Sequence, residues 1–378
     1  MRHSAFNALY LYAMILVGTT FVQGRTWTDT NGRQLIATIQ GVRNESVTVL
    51  RESDQRRLTL SLDQLIEPDQ EYAKSWAELQ VNLRKRWPSS VKASGINVEQ
   101  LPASEDGYSY ATPHFRFHCD AELSNRLISH VATIFEVVYS AGLEIPLPIK
   151  PLPQGETHSV QLFKSTSDYE AAGAHPGSAG TYSFKRREVL VPLSSLAASD
   201  DAGVYRPESN PDYPTLIHEI THCITSDWRS YSPVWLFEGF ARYMEVVSHS
   251  REQLNFDGLT PRLAVWRSGN GSYDNVPMVN FEFMLGCSYQ KWDKTFYNKP
   301  ENLRAQYTTA MVLVQYFLEI DSSNGERFKQ YIFELSQGME QQEALNILLN
   351  GRSFSDLTRD IVAAYQRERI TFNFVKVD

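Results

Sequence analysis

The stretch Pro214-Thr215-Leu216-Ile217-His218-Glu219-Ile220-Thr221-His222-Cys223-Ile224 decides how the rest of the chain is read. Leu216, Ile217, Ile220 and Ile224 recur at the spacing of a buried helix face, and Pro214 stands where a first helical turn tolerates it. His218 and His222 are four residues apart, so on a helix their rings share one face and reach a single ion at about 2.0–2.1 Å. Glu219 lies roughly 100° further round, beyond comfortable ligation but within reach of a water beside the ion. Burying two histidines and a glutamate among isoleucines, with no ion or partner, would be costly. Cys223 is expected on the core side as a buried free thiol. With Cys119 and Cys287 the cysteine count is odd, which allows at most one disulfide within the chain.

Working outward, Pro233-Val234-Trp235-Leu236-Phe237-Glu238-Gly239-Phe240-Ala241-Arg242-Tyr243-Met244-Glu245 reads as a second helix. Glu238 follows His222 with 15 residues between them, enough for a turn and an antiparallel return. Gly239 and Ala241 permit close helix approach beside an ion. Two histidines and a glutamate leave a fourth position open, which is a catalytic arrangement; structural zinc sites are closed, commonly by cysteines. Glu245 is a rival third ligand at the end of the same helix. His158, His175 and His249 read as loop or surface histidines.

The pairing of H-E-x-x-H with Trp235-Leu236-x-Glu238-Gly239-Phe240-Ala241-x-Tyr243 resembles the gluzincin zinc metallopeptidases, most closely their aminopeptidase-like branch. The resemblance covers residues 112–378. It implies Zn²⁺ held by His218, His222 and Glu238, with Glu219 as the general base that takes a proton from zinc-activated water. The His222-to-Glu238 gap is shorter than in the aminopeptidases, and their G-x-M-E-N motif is absent, so a shorter relative of the secreted bacterial kind is implied. Gln306-Tyr307-Thr308-Thr309 opens an apolar helix and looks like the family segment whose tyrosine donates to the oxyanion; this nominates Tyr307, which reads equally as a core-helix tyrosine. Tyr182, before the strand Val189–Val191, lies where a gluzincin edge strand binds substrate backbone. Arg242 stands where thermolysin-like gluzincins carry an aspartate supporting a ligand histidine. Support is therefore expected from elsewhere, Asp212 and Asp227 being candidates.

At the other end, Arg2 and His3 precede an apolar stretch from Ala8 to Val22, the layout of a secretory signal peptide over residues 1–24. The stretch is too short to span a bilayer comfortably, so no stable membrane span is expected after cleavage, and the location is expected to be secreted, periplasmic or cell-surface. Residues 25–79 read as a small β-rich module: Asn31-Gly32 signals a hairpin, and Leu35–Ile39, Val47–Leu50 and Leu58–Leu60 are short strands. This segment resembles the SH3-like barrel called Sla1 homology domain 1, which implies a spacer or a module with a protein ligand. Residues 80–111, with Pro88, Gly95, Pro102 and Gly107, read as a linker. His114–His118 alternates like an edge strand, Leu123–Val138 recurs at helical spacing, and the chain beyond 214 reads as almost all helix. The fold class is therefore α+β: a gluzincin-type domain of small mixed sheet and helical body behind a small all-β barrel.

A net charge of −8 excludes nucleic acid as the main partner, since phosphate binding needs clustered cations and the basic runs Arg84–Arg86 and Lys185–Arg187 are short. The expected function is a secreted zinc metallopeptidase acting on peptide or protein substrates. Two alternatives stay open: a gluzincin-fold binding protein without turnover, and a zinc hydrolase of a non-peptide bond.

Overall fold

A computed structural model describes residues 24–105, 107–207, 213–250, 252–296 and 300–375. The expected signal peptide, apart from Gly24, lies outside these residues. No helix among the described residues is long and apolar enough to cross a membrane.

The chain opens with four antiparallel strands, β1 (Arg25–Thr28), β2 (Gln34–Arg43), β3 (Ser46–Arg51) and β4 (Arg57–Ser61), paired in that order. The Asn31-Gly32 signal falls in the β1–β2 turn, where Gly32 takes φ +77° and Asp29 accepts from the Asn31 amide. Alternation sends Trp27, Ala37, Val47 and Val49 to one buried face, and the Trp27 indole donates to Ala37 O. The sheet is an open meander, so the expected closed barrel is not what these strands build. Its buried face is covered by helix α1 (Glu67–Arg84), through Tyr72 and Leu79, and by Phe333 from the far end of the chain. The N-terminal strands therefore share their core with the C-terminal helices.

The expected linker, residues 80–111, is instead folded into the body. Strands β5 (Ser90–Lys92), β6 (Glu99–Gln100) and β7 (Tyr108–Ala111) all pair with later strands or with each other. They are followed by β8 (Phe115–Cys119), β9 (Glu122–Leu123), helix α2 (Asn125–Glu144), β10 (His158–Phe163), helix α3 (Thr166–Ala171), β11 (Thr181–Ser183) and β12 (Glu188–Pro192). These make a six-stranded mixed sheet in the order β11-β12-β10-β8-β7-β6, with β8, β10 and β12 parallel. β8, expected at an edge, lies inside because β7 pairs along its other side. Period-2 alternation divides the faces: Val160, Leu162, Val189 and Val191 enter the main core, while Phe163 and Leu190 pack with Tyr169 of α3. β11 ends the sheet.

A small hairpin, β13 (Ala198–Asp201) and β14 (Val204–Pro207), leads to helices α4 (Tyr213–Ile224) and α5 (Val234–Val246). The region after residue 214 is mostly helical, but β15 (Ser248–Ser250) pairs with β16 (Gln253–Asn255), which pairs in turn with β5. These three-residue strands are too short for periodicity to reveal. Helices α6 (Pro261–Val265), α7 (Phe281–Leu285), α8 (Tyr289–Phe296), α9 (Pro300–Gln315), α10 (Glu326–Ser336), α11 (Gln341–Leu349) and α12 (Phe354–Arg367) complete the body, with β17 (Val276–Met278) beside β18 (Phe372–Phe374). Phe333 lies on α10, whose Lys329 donates to Leu83 O and Lys85 O at the end of α1. The three cysteines are buried and free.

Candidate metal centre

Helix α4 buries Leu216, Ile217, Ile220 and Ile224, as its spacing predicts, and this fixes which face carries the histidines. Helix α5 packs against α4 and is almost wholly buried, with Trp235, Phe237, Phe240, Tyr243 and Met244 in the core. Gly239 matters on its other side: a Cβ there would sit 2.5 Å from Ala310 O of α9. Only glycine lets α9 come this close.

The packing aims His218 Nε2, His222 Nε2 and Glu238 Oε2 at one point. The two imidazole nitrogens are 3.0 Å apart; Glu238 Oε2 is 3.3 Å from His222 Nε2 and 3.7 Å from His218 Nε2. Donor atoms of a tetrahedral ion with bonds of about 2.0–2.1 Å lie roughly 3.3 Å apart, and the observed edges bracket that value. This triad can hold a metal ion; among the described residues it is the one such group of three or more His, Cys, Asp or Glu.

Electrostatics agrees with a cation here. Burial works against a charged His218, yet hydrogen bonds to Glu238 and Glu245 and the nearby Glu219 charge outweigh it, lifting the imidazole to about 10. Burial likewise pushes the Glu238 carboxyl up, and the charges and hydrogen bonds of His222 and His218 reverse this, holding it well below the ordinary carboxylate range. His222 is placed by packing: its ring stacks on Phe237 with centroids 4.4 Å apart, while its buried Nδ1 has no hydrogen-bond partner among the described residues.

Glu245 is not in the triad. Its Oε2 faces His218 Nδ1 at 3.1 Å, and its Oε1 pairs with Arg242, whose Nη2 donates to Ser268 O at 2.9 Å. Of the two glutamates weighed as third ligand, Glu238 meets the two Nε2 atoms and Glu245 holds His218 from its Nδ1 side. The support sought from Asp212 or Asp227 comes from Glu245. Asp227 lies exposed in the turn Ser226–Ser230, and Asp212 is outside the described residues. A signal was present: Glu238, Arg242 and Glu245 are spaced i, i+4, i+7, a polar stripe on an otherwise apolar helix.

Glu219 Oε2 accepts from the Tyr182 amide at 2.6 Å, so strand β11 holds it in place. Tyr182 enters the site through its backbone. Its side chain is buried among Phe184 and the core, because strand alternation turns it away from the cleft. Tyr307 is brought to the site as expected: its ring stands 6.2 Å from that of His218 and meets Trp292 edge-on at 5.3 Å. Tyr307 and His218 line a cleft of about 520 Å³ with Gly180, Thr215, Glu219, Arg242, Glu245, Arg267 and Arg304. The arginines were not singled out from sequence as cleft residues. His158 lies in β10 against Phe115, away from the triad, as does His249 on β15.

The fold and site define a mixed α+β protein in which two histidines and one glutamate, a set able to hold a metal ion, meet beside an open cleft. Neither a protein-family model nor a curated protein matches the chain.

Proposed function

We propose that the chain is a zinc-dependent metallopeptidase of the gluzincin type, exported by the apolar segment Ala8–Val22. The observation that carries this reading is the convergence of His218 Nε2, His222 Nε2 and Glu238 Oε2 beside a cleft that His218 lines together with Glu219 and Tyr307. Zinc fits the donor set of two imidazoles and one carboxylate, and when bound would supply Lewis-acid polarisation of a substrate carbonyl and acidify water in the cleft.

The chain's own residues supply the rest. His218, held by Glu245, His222, stacked on Phe237, and Glu238 fix the ion. Glu219, steadied by the Tyr182 amide, takes the proton of the attacking water and delivers it to the leaving amine. The Tyr307 hydroxyl donates to the carbonyl oxygen as negative charge develops there. β11, at the end of its sheet, offers an edge along which an extended peptide adds as another strand. The N-terminal meander, likened by sequence to an SH3-like module, reads as a fixed buttress of α10, since it shares Phe333 with the helical body.

The test is metal content and peptide turnover together. One zinc per chain, lost in His222→Ala and Glu238→Ala, with turnover abolished but zinc retained in Glu219→Gln, supports the reading. Zinc binding without cleavage of any peptide in a broad library would refute it, and Glu219→Gln turnover at the wild-type rate would refute the mechanism.

A further inference from the structure

The cleft carries more positive charge than the catalytic reading uses. Three guanidinium groups gather around the turn Trp266–Asn270. Arg242 donates to Ser268 O, Arg267 belongs to the turn, and the Arg304 Nη2 would stand 3.1 Å from a Cβ placed on Gly269. Gly269 has φ +81° and no side chain, which admits Arg304 to the turn. Arg304 precedes Tyr307 by three residues on α9, so both project from one face into the cleft.

Their charges are not balanced alike. Arg242 is paired with Glu245. Arg267 is half-buried and spends two donors on neutral oxygens, Val246 O at 2.9 Å and Ser248 Oγ at 3.1 Å. Arg304 has no ion pair among the described residues. The carboxylates that share the cleft are both engaged, Glu219 by the Tyr182 amide and Glu245 by His218 and Arg242. Two arginines without a carboxylate partner among the described residues thus line an open, concave cleft in a protein whose net charge is −8. Low-dielectric walls strengthen such a field, and planar guanidinium groups match a carboxylate's two oxygens.

We propose that Arg267 and Arg304 seat a carboxylate of the substrate, making this a peptidase for acidic peptides or for peptides read by their free C-terminus. The inference rests on the peptidase reading of the same cleft. Arg242 serves a different purpose, since its charge is already spent on Glu245.

The test uses zinc-loaded Glu219→Gln protein, which cannot turn peptides over, and calorimetric binding of matched peptides. One peptide carries a free C-terminus and an internal Glu; a second has the terminus amidated; a third has Glu replaced by Gln. Losing the seated carboxylate should weaken binding on the order of 10- to 100-fold, the usual worth of a charged hydrogen bond. Which of the two neutralised peptides shows the loss identifies the carboxylate. Arg304→Met, at an exposed position, and Arg267→Met with Arg304→Met should shrink the ratio to about twofold, with Arg304→Lys restoring part of it. Equal affinity for all three peptides, or a ratio that survives the double substitution, overturns the inference while leaving the peptidase reading intact. Metal-loaded protein that binds no peptide overturns the peptidase reading, and this inference with it.

Discussion

Replacing Glu245 probes the step from helix packing to metal affinity without touching a ligand. Its carboxylate accepts from His218 Nδ1 at 3.1 Å, which fixes the tautomer and turns Nε2 toward the ion. Removing such a partner typically costs 10- to 100-fold in metal affinity, or about 1.4–2.7 kcal/mol. The side chain is only 11% exposed, so water does little to replace the lost acceptor. Glu245→Ala should therefore fall near 100-fold, and Glu245→Gln, whose amide oxygen still accepts, near tenfold. Arg242→Ala leaves the bond to His218 in place and should cost less than either. Arg242 itself stays tethered in the Glu245 variants through Ser268 O, which limits collateral rearrangement. Zinc affinity would be measured by competition with a chromophoric chelator near neutral pH. Wild-type affinity in Glu245→Ala would refute the orienting role, and complete loss, equal to that of Glu238→Ala, would make Glu245 a ligand.

Tyr307→Phe should retain zinc and KM while kcat falls about 10²- to 10³-fold, as expected for loss of an oxyanion donor; an unchanged kcat in steady-state assays with a cleaved peptide would return Tyr307 to the role of a packing residue. Gly239→Ala drives a methyl into Ala310 O and Val314 Cγ2, so α5 and α9 must separate, at a cost of about 1–3 kcal/mol seen as a lower Tm. Wild-type stability there would mean that the interface gives easily. Glu334, buried under Tyr72, has its carboxyl pushed up to about 7 by burial, with the Tyr72 hydroxyl and the Arg25 charge opposing. A raised folded-state pKa means that its contribution is fully present below about pH 4.5 and lost as pH rises through 7, by about 3 kcal/mol at most. Thermal unfolding against pH should therefore decline over that window in the wild type and flatten in Glu334→Gln; identical profiles would refute the shift.

The two histidines of the triad were legible because the information is local: a four-residue spacing on an amphipathic helix fixes two nitrogens before any tertiary contact is known. Glu238 required one packing step, that of α5 on α4, whereas Gly239 beside it serves the contact of α5 with α9 on the opposite side. Glu245 needed more. Charge and position made it a rival ligand, and only the crossing of α4 and α5 decides that it meets Nδ1 of His218 and not the ion. Tyr182 was singled out for contact with substrate; the structure shows its ring sent inward by the two-residue period and its amide bonded to Glu219. Residues 80–111 were read as linker because β5, β6 and β7 are two to four residues long, and their pairing partners lie mainly beyond residue 115. The N-terminal strands were found, but their closure into a barrel was not, because part of their core comes from Phe333, nearly the whole chain away.

Charge around His218 sets what this site will accept. Glu219, Glu238 and Glu245 bring three carboxylates to the imidazole, and Arg242 returns one positive charge through Glu245. The balance is two negative charges in a pocket where Glu238 is 15% and Glu245 11% exposed. A proton on His218 offsets one of them, which is why the imidazole holds its proton so firmly. A divalent cation offsets both, and its binding requires that proton to leave. Affinity should therefore rise with pH and favour divalent over monovalent ions. Cysteine-bound sites gain their negative charge by ionising their own ligands, whereas here part of it is built in by Glu245, about two turns beyond Glu238 on α5. Glu245, which no ligand motif contains, thus helps set the charge that a bound ion would have to offset.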